Sequence, residues 1–245
     1  MKKRLILWML FLSACSVIEV PKNFVYQTVK AQDYTLALWQ KQRDVSSPVR
    51  IYLEGDGHAF NYAGQPTSDP TPKGDFLRKI AFNDPNPNVV YLARPCQYVM
   101  DESCTQKDWT TGRFSQKIID SVSLAIQKIA DNRPVILIGY SGGALLGGLV
   151  IRQNPKIKVQ KWMTLAGVLN HSQWTQDLNL PPLSDSVDLD ELPQVNQHHY
   201  VGAGDKTVSS DLTQKITQNQ NLTIIPGATH TSGFDDYLNE IYQNK

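Results

Sequence analysis

The sequence has almost no net charge, and this absence excludes one class of partner. Its 245 residues carry 24 lysines and arginines against 23 aspartates and glutamates, which gives a formal net charge of +1 at pH 7. Proteins that bind nucleic acid need a basic face to neutralise phosphates. No excess of positive charge is present to form such a face, so we expect no nucleic-acid partner.

The chain also lacks internal repeats, low-complexity tracts and an apolar run long enough to cross a bilayer. The apolar stretch near the N-terminus covers residues 5–12, whereas a membrane-spanning helix needs roughly 20. With an apolar content of 41%, a chain of this length can bury one sizeable core. We expect a single domain over residues 23–245 and a monomer.

The N-terminus has three successive parts. Residues 2–4 are basic, residues 5–12 are apolar, and a Leu-Ser-Ala-Cys box ends at Cys15. This order resembles a bacterial lipoprotein signal. An ordinary signal peptide and an uncleaved anchor are the alternatives.

The resemblance to a lipoprotein implies where the protein resides. Cleavage would remove residues 1–14 and leave Cys15 as the lipidated N-terminus, with residues 15–22 as a tether. The protein would then be exported and lipid-anchored in the bacterial cell envelope, on the periplasmic face. Ser16, rather than an aspartate, follows the cysteine, and by the same resemblance this favours the outer membrane over the inner one.

Cysteine is scarce, with three in the whole chain. Apart from Cys15, the thiols of Cys96 and Cys104 lie close together in a polar, loop-like segment. In an oxidising compartment we expect them to form a disulfide that contributes about 2 kcal/mol. Two free thiols or half of a metal site are the alternatives, but no third and fourth ligand lie nearby, so we expect no metal.

Strand and helix patterns alternate along most of the chain. The predicted strands cover residues 23–30, 33–40, 48–54, 88–94, 134–139, 159–167 and 222–226, and residues 198–205 resume the strand pattern and run into the loop that carries Asp205. The predicted helices cover residues 75–82, 115–131, 142–153, 210–218 and 234–242. Residues 168–193 interrupt the alternation with tandem prolines and a short helical stretch, so they are interpreted as a small lid-like insertion.

This order of elements predicts an α/β fold. The sheet should be mostly parallel, with an N-terminal antiparallel strand pair and helices on both faces, because parallel neighbours require crossover connections. In such sheets the reactive site lies at the carboxyl ends of the strands.

Three predicted loops at those ends carry reactive side chains. Ser141 lies within Gly139-Tyr140-Ser141-Gly142-Gly143, which is typical of a strained strand-to-helix turn that exposes a serine. Asp205 follows a late strand, and His230 follows the last one. The pentapeptide alone is ambiguous, since an ordinary serine in a glycine-rich connection would have the same pattern.

Taken together, these loops resemble the α/β-hydrolase superfamily over nearly the whole exported chain. The order Ser141, Asp205, His230 is the order that this superfamily uses. The resemblance implies that Ser141 is the nucleophile, that His230 accepts and returns its proton, and that Asp205 orients the imidazole. It implies no cofactor and a small-molecule acyl substrate.

The resemblance also implies an oxyanion hole formed by the backbone N–H groups of Gly142 and Asp56. Here the chain departs from many relatives, which carry His-Gly where this chain has Glu54-Gly55-Asp56-Gly57. An acidic side chain beside the hole opposes the developing negative charge unless it is turned away or paired. Arg94 and Arg113 are the candidate partners.

Three further residues are candidates for substrate contact, namely His58, Tyr140 and His171. A structural role is the alternative for both histidines. The other two histidines, at positions 198 and 199, precede Asp205 in a predicted strand and are interpreted as sheet positions.

The chain also resembles a subgroup of exported bacterial hydrolases that share two further segments. These are Arg-Pro-Cys-Gln-Tyr at residues 94–98 and Trp-Thr-x-Gly-Arg-Phe at residues 109–114. Both follow the fourth strand, where they would either wall the site or serve a structural purpose.

The combined prediction is a serine hydrolase of esterase type that acts through an acyl-enzyme on a carboxylic ester or similar acyl bond. Two alternatives remain. One is an inactive lipoprotein that keeps the fold and binds an envelope ligand or partner, which the acidic loop favours. The other is a peptidase or amidase, since this catalytic geometry does not choose between esters and amides.

Overall fold

The computed structural model describes residues 19–243. The predicted signal of residues 1–14, the lipidation site Cys15 and the first half of the tether at residues 15–22 lie outside this range, so they stay predictions. Within residues 19–243, no helix combines the length and the apolarity needed to cross a bilayer.

The described chain forms eight strands and six α-helices. The strands are β1 (Val25–Ala31), β2 (Tyr34–Gln42), β3 (Val49–Leu53), β4 (Asn88–Leu92), β5 (Val135–Tyr140), β6 (Val159–Leu165), β7 (Gln197–Gly202) and β8 (Leu222–Ile225). The helices are α1 (Phe76–Asn83), α2 (Gln116–Ala130), α3 (Gly142–Gln153), α4 (His171–Asp177), α5 (Ser210–Thr217) and α6 (Leu238–Tyr242).

All eight strands join one sheet in the order β1-β2-β4-β3-β5-β6-β7-β8. β2 pairs antiparallel with β1 and β4, whereas the strands from β4 to β8 pair in parallel. The prediction of a mostly parallel sheet with an N-terminal antiparallel pair is therefore confirmed.

Helices cover both faces of the sheet, as the alternation of side chains along the strands requires. Ile51 and Leu137 belong to the hydrophobic core that contains α2 and α3. Tyr52 and Ile138, their neighbours along β3 and β5, belong to the opposite core, which contains α1 and α6. Because both faces of these strands are buried, β5 is a continuous apolar run in the sequence, and β3 is apolar except for Arg50, whose buried side chain pairs with Asp84.

The shortest elements differ most from the sequence prediction. The predicted helix at residues 234–242 begins with a 3-10 turn at Asp235–Tyr237, and only Leu238–Tyr242 is α-helical. A second 3-10 helix, Gln106–Trp109, was not predicted. Elements this short contain too few residues to establish a helical period.

Strand register brings the functional loops to one edge of the sheet. Leu53 at the end of β3 pairs with Gly139 of β5, and Leu165 at the end of β6 pairs with Tyr140 on one side and Tyr200 on the other. The loops that follow β3, β5, β7 and β8 therefore open at the same carboxyl edge.

Candidate active site

Ser141 lies at the sharp turn between β5 and α3. Its φ of 50° and ψ of −125° form a combination that non-glycine residues rarely adopt, so surrounding contacts hold a strained backbone. A Cβ on Gly139 would stand 2.5 Å from Ala144 Cα. One on Gly143 would stand 2.3 Å from Leu53 O. The glycines of the motif are thus required for strand and helix to approach this closely.

Two hydrogen bonds connect Ser141 with Asp205 through His230. His230 Nε2 lies 3.1 Å from Ser141 Oγ, and His230 Nδ1 lies 2.8 Å from Asp205 Oδ2. An ionised carboxylate only accepts hydrogen bonds, so Nδ1 carries the ring proton and Nε2 presents a lone pair to the hydroxyl. The three side chains come from three separate loops and have the geometry of a nucleophile, a base and an orienting acid.

The Asp205 carboxylate is fully buried and is fixed by its own loop. Its Oδ1 accepts from the N–H groups of Thr207 at 2.8 Å and Val208 at 2.9 Å. These bonds hold one rotamer of the carboxylate and leave Oδ2 for His230. The imidazole therefore has a fixed partner and a fixed orientation.

The two residues predicted to form the oxyanion hole are neighbours in space. A Cβ on Gly142 would stand 2.1 Å from Asp56 Oδ1. The loop also packs on Ser141, since a Cβ on Gly55 would stand 3.0 Å from Ser141 Cβ. Within the described chain, the backbone N–H groups of Asp56 and Gly142 donate to no other protein group.

The Asp56 carboxylate is paired with two arginines. Arg94 Nη1 contacts Asp56 Oδ1, and Arg113 Nη1 lies 2.5 Å from Asp56 Oδ2. Burial favours the neutral acid, but the attraction of Arg113 and Arg94 and their hydrogen bonds hold the pKa of Asp56 below its usual value. Both candidate partners named from the sequence contact the acid.

Glu54, the other acid of this loop, is buried among polar groups. Its Oε2 accepts from the Tyr91 hydroxyl at 2.5 Å, and its Oε1 accepts from the Gly55 N–H at 2.8 Å. Burial raises the pKa of the Glu54 carboxyl, although both hydrogen bonds act in the opposite direction. The pKa values of the two acids in this loop therefore shift in opposite directions, upward for Glu54 and downward for Asp56.

Ser141 and His230 face a cavity of about 400 Å³. Its wall includes the side chains of Phe60, Phe76, Leu77, Tyr140, Trp174 and Thr207. The Tyr140 ring, predicted to contact substrate, lies 5.2 Å from the His230 ring between centroids. Trp174 is held in place because its Nε1 donates to Thr207 O at 2.7 Å.

His58 and His171 are not among the residues that line this cavity, so their contact with substrate stays a prediction. The backbone of His58 is occupied within its own loop, since its N–H donates to Pro70 O at 2.9 Å. The His171 side chain is buried, and its ring stacks on Phe114 with centroids 5.9 Å apart. The His171 side chain therefore packs the insertion against Phe114.

The histidines at positions 198 and 199 are sheet residues, as predicted. His199 Nδ1 lies 2.9 Å from Thr164 Oγ1, and His198 Nε2 lies 2.8 Å from Thr223 Oγ1. Burial lowers the pKa of His199 to about 3. Its ring is therefore a neutral hydrogen-bonding group of the interior.

The two cysteines of the loop after β4 form the predicted disulfide, Cys96–Cys104. In the part of the chain that the structure describes, no group of three or more His, Cys, Asp or Glu side chains has the arrangement of a metal site.

Sequence reasoning missed five of the six wall residues named above, among them Phe76, Trp174 and Thr207. Phe76 and Trp174 are apolar residues in short helices, where nothing in the pattern separates a cavity wall from the core. Thr207 lies two residues after Asp205, so its position in that loop was a usable signal.

No protein-family model and no curated protein matches the sequence. The fold, however, is similar to solved structures. A lidless α/β serine hydrolase from Xanthomonas campestris is 12% identical over 91% of both chains, with a TM-score of 0.54. A predicted CIB-like hydrolase from Thermoplasma acidophilum is 13% identical over 89% of this chain and 96% of its own, with a TM-score of 0.60.

A third similar structure is Est1E from Butyrivibrio proteoclasticus. It is 12% identical, the match covers 89% of this chain and 94% of that protein, and the TM-score is 0.60. At these identities the likeness concerns the fold alone. The chain has the α/β-hydrolase fold, which confirms the fold predicted from its motifs.

Proposed function

We propose that this protein is a serine hydrolase that cleaves a carboxylic ester or a similar acyl bond. The observation that carries the proposal is the hydrogen-bonded chain from Asp205 through His230 to Ser141, with distances of 2.8 and 3.1 Å. A serine hydroxyl is a poor nucleophile until a base accepts its proton, and His230 is within reach to do so. The similar fold of proteins described as serine hydrolases supports the proposal.

In the acylation step, Ser141 Oγ attacks the substrate carbonyl carbon while His230 Nε2 accepts the hydroxyl proton. The carbonyl π electrons move to oxygen and give a tetrahedral oxyanion. Asp205 offsets the charge on the imidazolium ring without taking its proton. When the oxyanion collapses, the bond to the leaving alcohol breaks and Nε2 returns the proton to the alcohol oxygen.

Deacylation repeats these roles with water in place of the serine. His230 Nε2 accepts a proton from water as the water oxygen attacks the acyl carbon of the acyl-enzyme. Collapse of the second oxyanion releases the carboxylic acid, and the proton on Nε2 returns to Ser141 Oγ. The enzyme regains its starting state without a cofactor.

The N–H groups of Gly142 and Asp56 are proposed to bind the oxyanion in both steps. Their residues adjoin each other, and neither group donates to the protein within the described chain. One donor of this kind typically contributes about 10²–10³-fold to kcat.

We assign the chemistry to esters, in the carboxylic ester hydrolase class, because an alcohol leaves more readily than an amine. The cavity of about 400 Å³ has the size of a small-molecule pocket, which suits a small acyl substrate. We also propose that the enzyme acts on the periplasmic face of the envelope, anchored through Cys15 and favouring the outer membrane, as its N-terminal signal implies.

A panel of aryl esters of graded acyl length, with the matching anilides, tests the proposed reaction. We expect the wild-type protein to hydrolyse short and medium esters faster than the anilides, and Ser141→Ala to hydrolyse neither. Faster cleavage of anilides would assign the protein to the amidases. No cleavage of any member would contradict the proposed function.

A further inference from the structure

The two sequence segments that the proposed mechanism leaves unused, residues 94–98 and 109–114, converge on the loop at residues 54–57. Each contributes one arginine to the same carboxylate. Arg94 contacts Asp56 Oδ1, and Arg113 lies 2.5 Å from Asp56 Oδ2. Within the described chain, these two segments supply all the polar contacts of the Asp56 carboxylate.

Both arginines are themselves fixed by further contacts. Arg94 Nη2 donates to the carbonyl oxygen of Arg113, and its guanidinium lies 5.0 Å from the Phe114 ring centroid. Arg113 Nε donates to Thr110 O at 2.7 Å. Their side chains are only 5% and 6% exposed. Both guanidinium groups are therefore held in fixed positions.

The backbone of the same loop is held by Gln97, from the first of the two segments. Gln97 Oε1 accepts from the Arg94 N–H at 3.0 Å, and Gln97 Nε2 donates to Gly55 O at 2.9 Å. The adjacent Cys96 is tied by its disulfide to Cys104. Residues 94–98 therefore hold the loop at residues 54–57 in two ways, through the Gly55 backbone and through the Asp56 side chain.

These contacts extend to the proposed oxyanion hole. A Cβ on Gly142 would stand 2.1 Å from Asp56 Oδ1 and 3.0 Å from Arg94 Nη1. The paired carboxylate and its arginine thus lie against the residue that supplies one proposed oxyanion donor, while the Asp56 backbone supplies the other. The two arginines share the Asp56 carboxylate, and Glu54 of the same loop also interacts electrostatically with Arg94, so two cations face two acids beside the site.

We propose that Asp56, held by Arg94 and Arg113, is a positioning residue that sets the spacing of the two oxyanion donors, and that the two arginines offset its negative charge where the oxyanion develops. The inference rests on the proposed hydrolase function. It explains why an acidic residue can stand beside an oxyanion hole: its charge is offset by its two partners.

A merely structural ion pair would affect stability and leave the chemical step unchanged. The chain offers a matched control at the opposite end of β3, where Arg50 Nε lies 2.6 Å from Asp84 Oδ2 and both side chains are buried. Asp56→Asn and Asp84→Asn each remove one negative charge from an arginine, although the Asp56 side chain is 18% exposed and that of Asp84 is fully buried. Only the first lies at the proposed oxyanion hole.

The experiment measures kcat and KM for an aryl ester per folded chain, with the folded fraction taken from circular dichroism. We expect Asp56→Asn to lower kcat about 100-fold with KM within about threefold of wild type. Asp84→Asn should lower the unfolding temperature and leave kcat per folded chain unchanged. If folded Asp56→Asn keeps the wild-type kcat, or Asp84→Asn loses as much kcat, the inference is overturned.

A second pair of variants covers the case in which Asp56→Asn does not fold. Arg94→Lys keeps the positive charge and Arg94→Gln removes it, so we expect the lysine variant to retain at least about tenfold more kcat than the glutamine variant. Equal kcat values would overturn the electrostatic part of the proposal. An inactive wild-type protein would instead refute the hydrolase function, which separates the two failures.

Discussion

Asp56 Oδ1 lies directly against Gly142 in the candidate active site. A Cβ on residue 142 would stand 2.1 Å from this oxygen. The residue after Ser141 is therefore limited to glycine by an acid from another loop. This contact couples the turn that exposes Ser141 to the loop at residues 54–57, and it leads to the first prediction.

Gly142→Ala should displace the Asp56 carboxylate and with it the proposed oxyanion donor. We expect kcat for an aryl ester to fall by about 10²–10³-fold, with little loss of helical structure, because alanine favours helices. Gly147→Ala in the same helix is the control, since its Cβ would come no closer than 3.2 Å, to the end of the Leu137 side chain. Similar kcat values for the two variants would contradict the account.

Asp205→Asn should remove the acceptor that keeps the proton on His230 Nδ1. An amide in this position can donate to Nδ1 and favour the tautomer that cannot accept the Ser141 proton, so kcat should fall by about 10³–10⁴-fold. Asp211→Asn, at an exposed position of α5, controls for the loss of one negative charge. Steady-state kinetics that leave Asp205→Asn within tenfold of wild type would exclude its proposed role.

Phe76 should limit the length of the acyl chain. The centroid of its ring lies 5.0 Å from that of Tyr140, which lines the Ser141 cavity. On its other side, the ring lies 5.2 Å from that of Phe234, which lines a second cavity of about 490 Å³. Because Phe76 lines both cavities, we expect Phe76→Ala to join them and shift the preferred aryl ester toward longer acyl chains.

A second phenylalanine of α1 gives the control for this shift. Phe82 packs against Phe24, with ring centroids 4.7 Å apart, and lines neither cavity. Phe82→Ala should lower stability without changing the order of preference among the esters. An unchanged preference in Phe76→Ala would show that this ring does not divide the substrate site.

His199 should make the folded protein less stable in acid. Burial lowers its pKa to about 3, whereas an unfolded chain takes up the proton near the ordinary value of 6.5. Between these values the unfolded state binds more protons, so acidification lowers the free energy of unfolding, by at most about 1.4 kcal/mol per pH unit. Urea titrations of His199→Gln should give a shallower loss of stability with falling pH than wild type, and equal slopes would contradict this assignment.

Cys15 should carry the lipid that the N-terminal signal implies. In cells given radiolabelled palmitate, we expect label on the wild-type chain and none on Cys15→Ser, and we expect the label to fractionate with the outer membrane. Cys96→Ser is the control, because it removes a cysteine from the exported domain and leaves the signal intact. Label retained on Cys15→Ser would contradict the proposed anchor.

The fold and the three residues of the hydrogen-bonded chain could be predicted from the sequence because each has a local pattern. Buried strands give apolar runs, and Ser141, Asp205 and His230 each follow such a run within a few residues. The resemblance to the α/β-hydrolase superfamily, rather than a local pattern, placed the loop of Asp56 beside the serine. These inferences needed no knowledge of how distant side chains pack.

Contacts between loops were harder to predict, because they depend on side-chain direction. Arg94 and Arg113 were two candidate partners for Asp56, 38 and 57 positions away, and no local pattern showed that both would bind it. His171 looked like a site residue because it lies in the insertion, but its ring turns toward Phe114 instead. Burial of a side chain in a short helix is decided by tertiary packing.

The central claim, that Ser141 is an activated nucleophile, is tested most directly by labelling with a fluorophosphonate probe followed by peptide mass spectrometry. The probe phosphonylates a serine whose proton is accepted by a neighbouring base. We predict one adduct per wild-type chain, located on Ser141, and no adduct on Ser141→Ala. A wild-type protein that stays unlabelled while a control hydrolase reacts, or an adduct that persists in Ser141→Ala, would contradict the account.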